Sequence, residues 1–165
     1  MGMRARYMKI DEPTIAPLVE MESDAIFEAV IELEEEEKFE VLDVDKMWDA
    51  LHCFCTNVSA SFPIEGDKLS EAIVGVHVFN EDNYITVIDN EELPPIIAAM
   101  KAFDFKNKKA TFDLKLFEQE GIYPSGIWNK DKNEILNMLD LIFHELITFY
   151  EKAHQTNHHI IYSVF

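Results

Sequence analysis

The side chains best suited to chemistry crowd into one short stretch. His52-Cys53-Phe54-Cys55 offers an imidazole and two thiols, ligand types that zinc favours. On a helix, residues two apart point about 200° away from each other, so Cys53 and Cys55 cannot grip one ion, and no second cysteine pair completes a tetrahedral set. Free thiols and no metal are the expectation. Trp48 and His52 are four apart and so neighbours on a helix surface, where an indole can shield and orient an imidazole. Such a histidine can act as ligand anchor or general base near neutral pH. The plainer alternative is a histidine at the margin of an apolar stripe that hydrogen-bonds a backbone carbonyl. His154, His158 and His159 gather near the C-terminus, where exposure or adventitious metal binding is expected. His144-Glu145 resembles half of a metalloprotease helix, but the second histidine would fall at Thr148. With no glycine-rich phosphate loop, nucleophile elbow or kinase signature, no cofactor is expected and no catalytic residue is assigned.

The elements that must position these groups follow from periodicity. Val44, Met47, Trp48, Leu51, Phe54 and Cys55 recur at three and four, which predicts a helix starting at Asp43 or Asp45 as its cap and leaving the neighbouring carboxylates in water. Arg4 to Ile10 alternates as a first strand. A helix then starts at Thr14, and a second, capped by Ser23 or Asp24, turns Ile26, Phe27, Val30 and Leu33 inward. Asn57 to Asp67 is a loop, and Leu69 to Ile73 a helical turn ended by Gly75. Val76 to Phe79 and Tyr84 to Ile88 form a hairpin. Asp89 and Glu92 make a capping box for a helix through Phe103, and a further helix covers about Ala110 to Glu120 before Gly121. The Ile122 to Gly126 turn is the most site-like loop. The longest helix runs from about Lys132 to His154, and an apolar last strand, Ile160 to Val164, belongs inside the sheet.

Bulk properties narrow the partners. A chain of 165 residues has the size of one domain, and 48% hydrophobic residues, twelve of them Phe, exclude a disordered chain despite the charge. The net charge is −18, and fourteen acids against Lys38 alone place −13 of it between Asp11 and Asp45. Such a field repels nucleic acid and anionic membrane and attracts a basic protein or a cationic small molecule, while also serving solubility. Ala72 to Phe79 and Leu93 to Met100, the longest apolar runs, are far short of a bilayer span. Met1 to Ile10 lacks the apolar core of an export signal, so a cytoplasmic location is expected.

Leu42-Asp43-Val44-Asp45-Lys46-Met47-Trp48-Asp49-Ala50-Leu51-His52, with Thr56 beyond it, resembles the signature of the YfbM-like family of domains of unknown function. Met1-Gly2-Met3 with Arg6-Tyr7, the Ile122-Tyr123-Pro124 turn and the closing helix plus strand are similar to that family in order and spacing, so the likeness spans almost the whole chain. Asn57 stands where the family usually has glycine after the threonine, and Val76 follows Gly75 where a second glycine is usual. The resemblance implies one α/β domain over residues 1–165, a small mixed sheet with helices on both sides in three layers, and no established activity. Three functions are open. The first is a non-enzymatic module whose acidic surface around Glu28 to Asp45 docks a basic protein. The second is a small-molecule or hydrolytic site formed by Trp48, His52 and Tyr123, which the resemblance places in its recognisable segments, with Asp45 and Lys46 beside them. The third is a purely structural role, in which Asp45 caps the helix and Lys46 pairs locally.

Overall fold

A computed structural model describes residues 2–165. The chain runs β1 (Ala5–Ile10), α1 (Glu12–Val19), α2 (Ser23–Glu35), β2 (Val41–Asp45), α3 (Trp48–Thr56), α4 (Lys68–Val74), β3 (His77–Asn80) and β4 (Ile85–Ile88). A 3-10 turn (Asn90–Glu92) then leads into α5 (Leu93–Ala102), α6 (Phe105–Thr111), α7 (Lys115–Gln119), α8 (Lys132–Gln155) and β5 (His159–Val164). The strands form one sheet in the order β2-β1-β5-β4-β3. As its apolar sequence predicts, β5 takes the centre, burying Ile160, Tyr162 and Val164 against one core and Ile161 against the other. α1 and α2 cover one face through Ile15, Leu18, Ile26 and Val30, and the helices from α3 onward cover the opposite face. The α/β class and the helices on both sides of the sheet stand.

Two expectations are corrected. The sheet is antiparallel at every pairing rather than mixed. Val41 pairs with Met8 and Ile160 with Ile88, so the helical excursions after β1 and β4 re-enter the sheet at the end they left, whereas α3 and α4 carry the chain from Asp45 at one end to His77 at the other. The second correction concerns Asp43 and Asp45, which cap nothing. Residues 41–45 alternate and pair with β1 as its edge strand, where Arg4 bonds the Asp43 carboxylate at 2.9 Å and approaches Asp45 at 3.5 Å. Asp45 turns the chain out of the strand at φ 53°, held by its N–H donating to Asp43 Oδ1, and α3 begins only at Trp48 without a side-chain cap. The predicted helix over 110–120 is likewise two short helices, because Phe112 leaves the spiral to pack against Phe54 and Phe117.

Three consecutive carbonyls at the end of α4 are satisfied by side chains: Ala72 by the Tyr150 hydroxyl, Ile73 by Tyr7 and Val74 by Thr86. Gly75 follows at φ 82°, and a Cβ there would overlap Thr86 Oγ1, so only glycine lets α4 end against β4. This seam ties α4, and the loop before it, to the centre of the sheet.

Candidate functional site

The signature stretch becomes α3, and nearly all of it is buried. Trp48 packs its indole against the Tyr123 ring, centroids 5.6 Å apart at 26°, and donates Nε1–H to the Met3 carbonyl at 3.3 Å. Gly2 lies against Tyr123: a Cβ there would collide with the Tyr123 hydroxyl and crowd the half-buried Lys46 side chain. Trp48, Tyr123, Lys46 and the first described residues therefore meet. Asp45 stays outside this cluster, exposed on the edge strand beside Arg4.

His52 does not join them at a surface. It is fully buried, with Nδ1 donating to the Val58 carbonyl at 2.9 Å and Nε2 accepting from Ser70 Oγ at 2.8 Å, while Ser70 Oγ in turn accepts the Ile64 N–H. Burial pushes the imidazole below its ordinary pKa, against upward pulls from the Val58 bond, Asp49 and Asp67. A neutral imidazole with both nitrogens committed pins the 57–67 loop to α3 and α4. Asn57, at the family's glycine position, opens that loop at φ 69°, a left-handed turn that asparagine tolerates.

Sequence reasoning missed the residue that organises the region. Asp49 was expected in water with its neighbours, yet it is only 3% exposed. Its Oδ1 accepts from Ser59 Oγ at 2.8 Å and Ala60 N–H at 2.7 Å, and its Oδ2 accepts the Tyr123 N–H at 2.8 Å. One carboxylate thus fixes the loop after α3 and the turn carrying Tyr123. The only available signal was its place inside an apolar helix pattern, one residue after Trp48.

The remaining polar groups do not converge on one centre. Cys53 and Cys55 are buried free thiols, and burial raises Cys53 to about 12 and Cys55 further. His159 donates to Glu12 and accepts the Asn90 N–H, His158 contacts Thr156, and His154 is exposed. His77, Asp89 and Glu92 bring three possible metal ligands together at the surface. Both carboxylates already serve the capping box expected at Asp89, and His77 bonds Glu92 at 2.8 Å, which accounts for the cluster without an ion.

The acidic segment makes a second feature. β2 is an edge strand with a groove along each face. The groove beside α2 encloses about 600 Å³ between Glu34, Glu35, Glu37, Phe39 and Phe165. The groove beside α8 encloses about 410 Å³ between Glu40, Leu42, Leu141, Glu145 and Phe149. Glu34 is partly paired with Arg6 at 3.0 Å, and burial raises its pKa above the ordinary carboxylate value. Glu35 and Glu37 are exposed.

A family model described as Domain of unknown function (DUF1877) matches residues 1–163. The chain is 26% identical over 164 residues to Protein YfbM of Escherichia coli (strain K12), covering 98% of this chain and 97% of that protein. The crystal structure of a protein of unknown function, YfbM from Escherichia coli, superposes with a TM-score of 0.84 at 25% identity, covering 98% and 99% of the two chains. No helix among the described residues is long and apolar enough to cross a membrane.

Proposed function

The chain belongs to the DUF1877 family, and from that premise, which carries a fold and no activity, we propose that it is a non-enzymatic module that docks a basic, extended protein segment on the edge of β2. The observation that supports this most is the pair of grooves flanking an edge strand, with acidic groups on the walls of both. An edge strand keeps a row of N–H and C=O groups for an incoming strand, and successive side chains of that strand point to opposite faces. One set would reach Glu35 and Glu37 over Phe39 and Phe165, and the alternate set would reach Glu40 and Glu145 over Leu42 and Leu141. Lysine or arginine alternating with apolar residues fits the α2 groove best, since on the α8 side Lys9 pairs with Glu40 and Lys152 shares the wall, leaving Glu145 as the free carboxylate there. The same carboxylates repel a second copy of this edge, which keeps it from pairing with itself.

His52 and Asp49 spend their polar atoms on the protein's own loops, so the edge of β2 and not the signature stretch is where this reading puts the partner. The test is fluorescence anisotropy with a labelled short peptide alternating arginine and valine, set against the same residues with proline at alternate positions. Binding of the first should weaken steeply with salt, and the proline peptide, lacking donors for the edge, should bind far less. Reversing charge with E35K and E37K, both exposed, should cost about tenfold or more in affinity. Equal binding of the two peptides, or indifference to the charge reversal, would defeat this function.

A further inference from the structure

The second edge of the sheet, β3, carries a group of a different kind. His77 opens that strand and pairs with Val87, which sets it beside the chain that leaves β4 at Asp89. Nε2 of His77 stands 2.8 Å from Glu92 Oε1 and 3.4 Å from Asp89 Oδ2. One ligand atom from each of the three residues lies within 4.8 Å of the other two. Around an ion with bonds of about 2.0–2.2 Å, neighbouring ligand atoms stand roughly 2.8–3.6 Å apart, closer with six ligands than with four. Both spacings to His77 fall in that range.

The capping box explains why these groups stand together without an ion, and it also prepares them for one. Glu92 Oε2 accepts the Asp89 N–H at 2.9 Å, and the Asp89 carboxylate accepts the Glu92 N–H, so backbone holds each carboxylate from behind. Outer-shell hydrogen bonds orient metal ligands in the same way. The charge at this point is unbalanced. Among the described residues, only histidines pair with these carboxylates: His77 with both, and His159 at 3.7 Å from Asp89. His159 has no proton for Asp89, because its Nδ1 accepts the Asn90 N–H and its Nε2 donates to Glu12. A neutral His77 gives its Nε2–H to Glu92, which leaves Asp89 beside a second carboxylate with no cation. A divalent ion would balance both, and His77 needs only its other tautomer to offer a lone pair in place of the proton.

Imidazole beside carboxylates suits zinc, nickel or copper, whereas magnesium and calcium prefer oxygen alone. We propose that His77, Asp89 and Glu92 bind one divalent transition ion of the zinc class. Solvent reaches all three side chains, so water completes the shell. The ion would clamp the edge strand β3 to the start of α5. This site lies at the opposite edge of the sheet from β2, so it goes beyond docking there and can hold or fail independently.

Isothermal titration calorimetry of chelator-stripped protein with zinc chloride tests it. One ion per chain should bind and raise the melting temperature, and magnesium chloride should do neither. H77A, at an exposed strand end, should weaken zinc about tenfold or more. E92Q keeps an oxygen for the capping box but removes the ligand charge, and it should weaken zinc by a similar factor. Cobalt chloride should give visible absorption bands in the parent that H77A lacks. A variant without the other clustered histidines, H154A with H158A, should bind as the parent does, which separates this site from adventitious uptake near the C-terminus. No heat with zinc, binding that survives either H77A or E92Q unchanged, or binding lost with His154 and His158 would each overturn the proposal.

Discussion

Replacing His52 by alanine separates a structural role from a functional one. The imidazole is wholly enclosed and closes a chain running from the Val58 carbonyl through His52 to the Ser70 hydroxyl and the Ile64 N–H. Alanine deletes two hydrogen bonds worth about 0.5–1.5 kcal/mol each and leaves Ser70 and Val58 incompletely paired in a dry cavity, so a total loss of about 3 kcal/mol is expected. For a chain of this size that lowers the melting temperature by roughly 6–12 °C. Urea unfolding at constant m-value measures it directly. The pH dependence supplies a second check. Burial holds the folded pKa of His52 below its unfolded value, so the unfolded chain takes up the proton first as pH falls. The stability that neutral His52 contributes is complete above the ordinary imidazole value of about 6.5 and is lost progressively below it. The stability gap between parent and H52A should therefore narrow from about pH 7 to about pH 5. A loss under about 0.5 kcal/mol, or unchanged stability with abolished peptide binding, would refute the structural assignment of His52.

Asp49→Asn should cost about 2–3 kcal/mol in urea unfolding, because the amide puts a donor where the carboxylate accepts from Ser59, Ala60 or Tyr123, whereas S59A, which removes one of those three bonds, should cost about 1 kcal/mol. Cys53 and Cys55 should both resist Ellman's reagent in the native protein and react together on unfolding, since burial keeps each protonated well above neutral pH. Rapid labelling of either thiol in the folded chain would contradict their placement.

What could be read from the sequence was what short-range physics decides. The 24-residue α8, the β3–β4 hairpin and the box of Asp89 with Glu92 all announce themselves within a few residues. β2 did not, because Val44, Met47 and Trp48 continue a helical spacing into α3, and only pairing with β1 reveals that Val44 belongs to a strand. Asp49 was hidden for the same reason: its partners lie 10, 11 and 74 residues further along the chain. No local pattern announces the meeting of Trp48 with Tyr123; the resemblance puts both in recognisable segments, and only the fold brings the rings together. His52 had two readings in the sequence, and the hydroxyl of Ser70, eighteen residues on, favours the plainer one.

These placements explain what the signature stretch does within the fold. α3 holds three pieces of chain that have no regular structure of their own: the residues before β1 through Trp48, the 57–67 loop through His52 and Asp49, and the Tyr123 turn through Asp49 and Trp48. Aspartate and histidine suit that task because each can satisfy several buried backbone groups at once. The polar groups left over for other molecules are then those the frame does not use, among them the exposed carboxylates along β2. A partner there would meet a strand tied to β1 and α2 by Arg4 and Arg6. Loosening α3 through Asp49→Asn should therefore lower stability in urea unfolding while leaving the affinity of the β2 peptide unchanged, since β2 is tied to the sheet by Arg4 and Arg6 and not by α3.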